Sequence, residues 1–261
     1  MSENYFIIAD KTLSAQKLAT KLIESFPNYI TKELDKSKNI DAILVLGGDG
    51  FMLHSIHQYM DHKIPFYGIN CGSLGFLLNN LDDSENIIEK LKTAKTTDIH
   101  PLMMKSYSRD NEVSKTLAFN DVSLLRETKQ SAHIKIIIDG ICRLPKLVSD
   151  GILIATPAGS TAYNFSVRGP IIPLSSDVLA MTPISPFRPR QWRGALLPEK
   201  THVTFEILTP NKRPVSAVAD FYEFRDVRKI EVSKQLDQYV TLMFDHNYPL
   251  EDKIFLEQFE S

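Results

Sequence analysis

Through the first hundred residues the apolar positions follow two alternating rhythms. Tyr5 to Ala9 is a short unbroken apolar run that predicts a buried strand, and Ala15, Leu18, Ala19, Leu22, Ile23 and Phe26 then recur at helical spacing. Ile43-Leu-Val-Leu46 predicts a second strand, closed by Gly47-Gly48-Asp49-Gly50, and Met52, Leu53, Ile56 and Tyr59 place a helix directly after it. Pro65 to Asn70 predicts a third strand, and Asn86 to Leu91 lies in a third helix with a polar face. Strand and helix in turn predict an α/β domain of βαβ units on a parallel sheet over residues 1–98.

Beyond residue 99 the rhythm changes. Short β-prone runs at Leu117 to Leu125, Ile134 to Ile138, Ile152 to Ala155, Val203 to Leu208 and Val240 to Phe244 replace the helical period. They predict an all-β domain over 99–244. The last stretch, 245–261, carries Ile254-Phe255-Leu256 and is expected to pack back on the first domain. Pro183, Pro186, Pro189 and Pro198, interleaved with Arg188, Arg190 and Arg193, predict a long rigid loop that interrupts the β run.

Composition narrows the function classes. A hydrophobic share of 43% over 261 residues is too high for intrinsic disorder. Lys and Arg number 30 against 32 Asp and Glu, so net charge offers no attraction to nucleic acid or an anionic membrane. No apolar run approaches the ~18 to 20 residues that span a bilayer, and the acidic, polar N-terminus is unlike a signal peptide. The two cysteines, Cys71 and Cys142, form no CxxC pair, which argues against a disulfide scaffold or a thiolate metal site. A cytoplasmic protein is expected, with no nucleic-acid or membrane partner.

Three segments carry candidate chemistry. The Gly47-Gly48-Asp49-Gly50 turn joins a buried strand to a helix start, where open α/β sheets place ligands and where a helix N-terminus offers N–H groups to an anion. It is neither a GxGxxG fingerprint nor a P-loop, since the chain has no Gly-Lys pair. A tight turn with Asp49 as helix N-cap is the plainer alternative. Gly68-Ile-Asn-Cys-Gly72-Ser-Leu-Gly75-Phe76 forms a second glycine-rich turn after the next strand, which would set the two loops side by side. The third segment runs from Asp150-Gly151 through Thr156-Pro157-Ala-Gly159-Ser160-Thr161-Ala162-Tyr163 to a helix start, with Ser160 and Thr161 fitting an anion-compatible pocket floor or a capping turn.

Together with Asn120-Asp121, these segments resemble the ordered motif set of the NAD kinase family along nearly the whole chain. The GGDG turn alone is similar to lipid kinases of the diacylglycerol and sphingosine type and to 6-phosphofructokinases. The Thr156 to Tyr163 stretch separates the family from them. The resemblance implies ATP-dependent phosphorylation of the adenosine ribose 2′-hydroxyl of NAD, giving NADP, with a divalent metal, Mg being expected. It also implies an α/β domain plus a β domain, and a homodimer or homotetramer. By resemblance Asp49 accepts the hydroxyl proton and Gly50 lies beside the ribose. Asn120 and Asp121 bind the adenosine region, Asp150, Thr161, Ala162, Tyr163 and Ser166 line the rest of the dinucleotide pocket, and Phe76 lies near the adenine. The chain departs from the family pattern at Phe51, where Thr is frequent, at Asn120-Asp121 in place of Asn-Glu, and at Asp220-Phe221 in place of Asp-Gly, which leaves Asp220 without a role.

Other ionisable residues add less. His54 and His57 stand at i and i+3 without an HExxH pattern, and His54, one turn into its helix, could face a phosphate. Arg188, Arg190 and Arg193 either bind phosphate or form a solvated or subunit-facing surface; the surface is the preferred expectation, and the predicted site omits them. A lipid or sugar kinase and a non-catalytic nucleotide-binding regulator are the competing readings.

Overall fold

The structure, a computed structural model, describes residues 4–26, 29–30, 34, 39–72, 75–80 and 86–246. The expected packing of residues 247–261 and the middle of the Gly72 to Gly75 loop lie outside the described residues. The chain divides into two compact units, one running to Ile99 and resuming at Tyr239, the other His100–Gln238.

In the first unit, β1 (Tyr5–Ala9), α1 (Leu13–Ser25), β2 (Tyr29–Ile30), β3 (Ala42–Gly47), α2 (Asp49–Tyr59), β4 (Phe66–Asn70), α3 (Ile87–Thr93) and β5 (Lys95–Ile99) follow in order. Thr12 caps α1 by accepting the Ala15 N–H, and Ala15, Leu22 and Phe26 bury one stripe of its surface against Ile7, Leu44 and Leu46 of the sheet. Every residue of β3 is buried, as an interior parallel strand covered on both faces requires.

The second unit holds β6 (Leu102–Ser108), β7 (Val113–Ala118), β8 (Asp121–Arg126), β9 (Ala132–Ile138), β10 (Ile141–Ser149), β11 (Gly151–Ala155), a one-turn helix α4 (Tyr163–Ser166), β12 (Val178–Ile184), β13 (Ala195–Pro198), β14 (Val203–Ile207), β15 (Val215–Ala219), β16 (Tyr222–Phe224) and β17 (Val227–Lys234). Two antiparallel six-stranded sheets, β10-β9-β14-β17-β6-β7 and β13-β12-β11-β8-β15-β16, face each other across Ile136, Ile154, Phe205, Val215 and Ile230. Strand β9 alternates buried and half-buried positions, as a one-sided strand must. In contrast, β11 is buried throughout: Ile152 and Ile154 face the sandwich core, while Leu153 and Ala155 pack with Ile172, Ala180 and Ile184 on the outer face. The chain after β11 therefore has to fold back over that outer face, and this holds the Thr161 to Ser166 stretch in place.

Three expectations change. The run Leu117 to Leu125 is two strands in different sheets, β7 and β8, separated at Phe119-Asn120 by side-chain acceptors described below. The proline-rich stretch is not one loop, because Pro183 lies in β12 and Pro198 in β13. Pro183 is tolerated because β13 pairs with β12 only as far as Met181, so no N–H is demanded on that edge. Finally, Val240–Phe244, expected in the all-β domain, forms β18 of the first unit, running parallel to β4 and antiparallel to β5 in the order β2-β1-β3-β4-β18-β5. Its inward residues Val240, Leu242 and Phe244 are buried there.

A polar knot fastens this returning strand. Asp245, 8% exposed, accepts the Tyr67 hydroxyl of β4 and the Lys90 ammonium of α3 at 2.8 Å, while its own N–H donates to Asn79 Oδ1 at 2.9 Å. Asn79 in turn donates to the carbonyls of Gly68 and Met243. Removing one member of a buried ion pair leaves the other uncompensated. Asp245→Ala is accordingly expected to destabilise the protein by about 3 kcal/mol in urea denaturation. An unchanged unfolding midpoint would show that the knot is dispensable.

Candidate active site

In the first unit, β3 and β4 stay in register to Gly47 opposite Asn70, and Cys71 N–H donates to Gly47 O at 2.9 Å. Both glycine-rich turns therefore leave the sheet side by side. Helix α2 opens with Gly48 as N-cap, in extended backbone and without a side-chain cap bond. Asp49 is thus the first helical residue and not the cap that the plainer alternative made it. Its carboxylate reaches across to the second turn, where Oδ2 accepts Phe76 N–H at 2.8 Å and Oδ1 accepts Leu77 N–H at 2.9 Å. A carboxylate has about four lone-pair positions, so holding two N–H groups does not by itself exhaust it. The chain after the second turn folds closely back on β4: a Cβ on Gly68 would meet a Leu78 methyl at 2.3 Å.

Gly50 and His54 are exposed on α2, and Phe76 is half-buried. Helical bonding starts from Met52 N–H to Gly48 O, so the N–H groups of Gly50 and Phe51 precede the ladder, in the position suited to an anion. His54 also borders a cavity of about 410 Å³ lined with Ile7, Gln16, Phe51 and Tyr59.

In the second unit the organising group is Asp220, which the sequence left without a role. It sits in the left-handed region at φ 53°, just past β15, and its carboxylate accepts three successive N–H groups: Phe119 at 2.8 Å, Asn120 at 2.9 Å and Asp121 at 3.3 Å. From the other side Thr156 donates its N–H to Asn120 O and its hydroxyl to Phe119 O. Gly159 passes so close that a Cβ would lie 2.1 Å from Asn120 O, which excludes any larger residue there. The turn is fixed from two directions. Asn120 Oδ1 is left buried with no hydrogen-bond partner among the described residues, a cost that a donor on a ligand would remove.

Asp121 is 9% exposed, and its carboxyl is pushed up to about 7, chiefly by burial and further by the negative charge of Asp220. Tyr163 is 37% exposed and belongs to no core. Burial raises its hydroxyl pKa, and the charges of Asp121 and Asp150 raise it further, so both carboxylates act on the ring that opens α4. Asp150 is steadied by Arg126, whose Nε lies 2.6 Å from Oδ1. Thr161 and Ala162 are half-buried at the end of the turn before α4, and Ser166 is exposed at its last position.

Ser160 does not form a pocket floor. It is fully buried, donates to Pro157 O and accepts the Ile172 N–H at 2.9 Å, because the backbone folded over β11 needs those groups satisfied. Asn164 is likewise internal, donating to Ser160 O and Pro170 O and accepting the Thr182 hydroxyl. Asp220 carried one sequence signal: it ends the run Val215 to Ala219 where strand residues give way to a turn, the kind of place where an aspartate collects loose N–H groups. Among the described residues, no three His, Cys, Asp or Glu side chains converge to hold a metal by themselves, and no helix is long and apolar enough to cross a membrane.

Comparison with known proteins gives the same result for both units. Residues 3–99 match the ATP-NAD kinase N-terminal domain, and residues 119–233 match the ATP-NAD kinase C-terminal domain. A NAD kinase of Rickettsia bellii is 48% identical over 222 residues, covering 85% of this chain and 87% of that protein. One from Caulobacter vibrioides is 49% identical over 224 residues, covering 86% of each. Two crystal structures share the fold. Yeast NADH kinase complexed with NADH has a TM-score of 0.84 at 24% identity, covering 99% of this chain and 88% of that one. An Archaeoglobus fulgidus NAD kinase in complex with ATP has a TM-score of 0.73 at 23% identity, covering 98% of this chain and 97% of that one. An α/β unit with paired glycine turns, a β-sandwich with a clamped Asn-Asp turn, and sequence matches over both, in order, make this chain a member of the NAD kinase family.

Proposed function

We infer that the protein is a NAD kinase, transferring the terminal phosphate of ATP to the 2′-hydroxyl of the adenosine ribose of NAD to give NADP and ADP. The observation that carries the chemistry is the Asp49 carboxylate, which is held by Phe76 and Leu77 N–H groups at the mouth of two glycine turns and is not used as a helix cap. In the transfer, the ribose oxygen forms a bond to the γ-phosphorus, the bond from that phosphorus to the bridging oxygen breaks, and the hydroxyl proton passes to Asp49. Gly50 leaves room for the ribose beside it, and Phe76 offers a half-buried ring toward the adenine. His54, exposed one turn into α2, and the N–H groups of the helix start face the phosphates.

Asn120 and Asp121 hold the adenosine. The unpartnered Asn120 Oδ1 accepts a donor from the ligand, and Asp220 positions both residues without touching the ligand itself. Asp150, Thr161, Ala162, Tyr163 and Ser166 line the remainder of the dinucleotide site. A divalent cation, Mg by expectation, would come with ATP, held by the nucleotide's phosphates and water. When bound, the cation neutralises charge on the transferring phosphoryl group. The exposed Phe165 and Leu196 give copies of the chain apolar surface for a cytoplasmic homodimer or homotetramer.

Formation of NADP from purified protein, NAD, ATP and magnesium tests the reading directly. Phosphorylation of diacylglycerol, sphingosine or fructose 6-phosphate in place of NAD would overturn it. The Asp49→Asn variant is expected to lose turnover by ~10² to 10⁴. Its amide nitrogen would also abut one of the two N–H donors, so a loss of about 1 to 3 kcal/mol in stability should accompany it. Calorimetric NAD binding should survive within about tenfold. Turnover within about threefold of the parent would remove Asp49 from the chemistry.

Asp121 supplies a pH test. Its folded carboxyl titrates near 7 against an ordinary 3.8, so the native chain holds a proton that the unfolded chain releases. Stability should therefore fall as pH rises from about 4 to 7 and stay lowered above that. Asp121→Asn removes the titration: thermal melts should show no advantage over the parent below about pH 4 and one on the order of 2 kcal/mol above pH 7. A pH-independent difference would show that Asp121 titrates normally.

A further inference from the structure

The arginines of the proline-rich loop remain unused by the reaction, and their surroundings are built rather than loose. Between β12 and β13 the loop is fastened at both ends. Phe187 N–H donates to Val148 O at 2.7 Å, and Val148 N–H donates to Arg188 O at 2.8 Å. At the far end Gly194 sits at φ 103° with Met181 O only 2.0 Å from where a Cβ would lie, so the chain is pressed against β12 there. Between these anchors Trp192 packs on the sandwich core, and the Arg190 guanidinium lies 5.7 Å from the centre of the Phe187 ring.

Arg168 comes to the same place from the segment after α4. Its backbone is in the left-handed region at φ 66°, held by an N–H bond to Phe165 O at 2.9 Å. Arg168, Thr182, Arg190, Gln191, Trp192 and Arg193 line a cavity of about 570 Å³, within the size range of small-molecule sites. Among the described residues no carboxylate lines it. Several basic residues elsewhere in this unit are paired, among them Arg109 with Asp226, Arg126 with Asp150, Lys135 with Glu206, Arg225 with Glu223, Lys229 with Glu231 and Lys234 with Glu199. Arg168, Arg190 and Arg193 have no such partner among the described residues.

We propose that this cavity is a binding site for an oligophosphate anion, a ligand with two or more linked phosphates, either free or carried by a nucleotide. Three arginines on the lining of one cavity bring like charges to one place, and each presents a planar fork suited to phosphate oxygens. A sulfate-sized dianion leaves one of the three positive charges uncompensated; a chain of phosphates neutralises all three. Gln191 adds an amide donor, and the partly buried Trp192 forms an apolar wall beside them. The site stands on residues that the kinase chemistry does not use.

Trp192 is the one tryptophan of the sequence, so intrinsic fluorescence reads this cavity directly. Inorganic tripolyphosphate and magnesium-free ATP, titrated separately at constant ionic strength, should each produce a saturable change. Sulfate at the same ionic strength should produce none. Equal midpoints for the two ligands mean that the phosphate chain alone is read, and a tighter midpoint for ATP means that the nucleoside adds contact; both outcomes support the site. Arg190→Gln combined with Arg193→Gln should weaken the response at least about tenfold, the order expected when charged hydrogen bonds are lost, with the thermal transition unchanged. Arg168→Gln alone provides the same test should the double variant unfold. NADP formation by the Arg190→Gln, Arg193→Gln variant should match the parent's, which separates this site from the kinase reading. A response missing for both phosphate ligands, reproduced by sulfate, or unchanged in the arginine variants would overturn the proposal.

Discussion

Where a strand ends, its backbone N–H groups lose their ladder partners, and at two turns of this protein an aspartate takes them up. Asp49 holds Phe76 and Leu77, and Asp220 holds Phe119, Asn120 and Asp121. A buried N–H without an acceptor costs on the order of 1 to 3 kcal/mol, and a carboxylate, with two acceptor oxygens, can take up several at once. These bonds set the shape of the turns. The glycines then allow the close approaches that result, Gly68 against Leu78 and Gly159 against Asn120.

The two aspartates do different work with the same physics. Asp49 stands at the first position of a helix, where negative charge is favoured by the helix dipole, and so fixes a loop while presenting a carboxylate at a helix start. Asp220 is turned toward the backbone and supports its neighbours. Its charge also falls on Asp121, which burial has already made reluctant to ionise. The turn that Asp220 builds is therefore electrostatically strained by Asp220 itself, and protonation of Asp121 relieves the strain. Buried groups held in this way are common where a ligand is to be recognised.

Each unit reaches its form by a distinct route. In the first, an open parallel edge at β4 is closed by β18 and locked by Asp245 to Tyr67, Lys90 and Asn79. In the second, the fully buried β11 requires cover on its outer face, and the segment from Ala158 to Ile172 provides it through Ser160 and Asn164. Residues that sequence inspection groups as one polar motif thus divide in two: Ser160 and Asn164 serve the cover, while Thr161, Ala162 and Tyr163 remain at least partly accessible.

The sequence by itself determined the α/β start, the all-β continuation, the two glycine turns leaving adjacent strands, and membership of a kinase family. Each is a local signal: a period of apolar residues, a glycine cluster after a strand, or an ordered set of short motifs. It could not determine what depends on partners far along the chain. The split of Leu117 to Leu125 into two strands rests on Asp220, about a hundred residues away, and the placement of Val240–Phe244 beside β4 rests on an edge that only the folded sheet exposes. That Asp49 binds a loop and does not cap its helix, and that Asp121 holds a proton near pH 7, were likewise decided by tertiary structure. Hydrogen-bond partners and burial are properties of contact, and a periodic pattern along a chain specifies which face is buried but not which distant group will meet it.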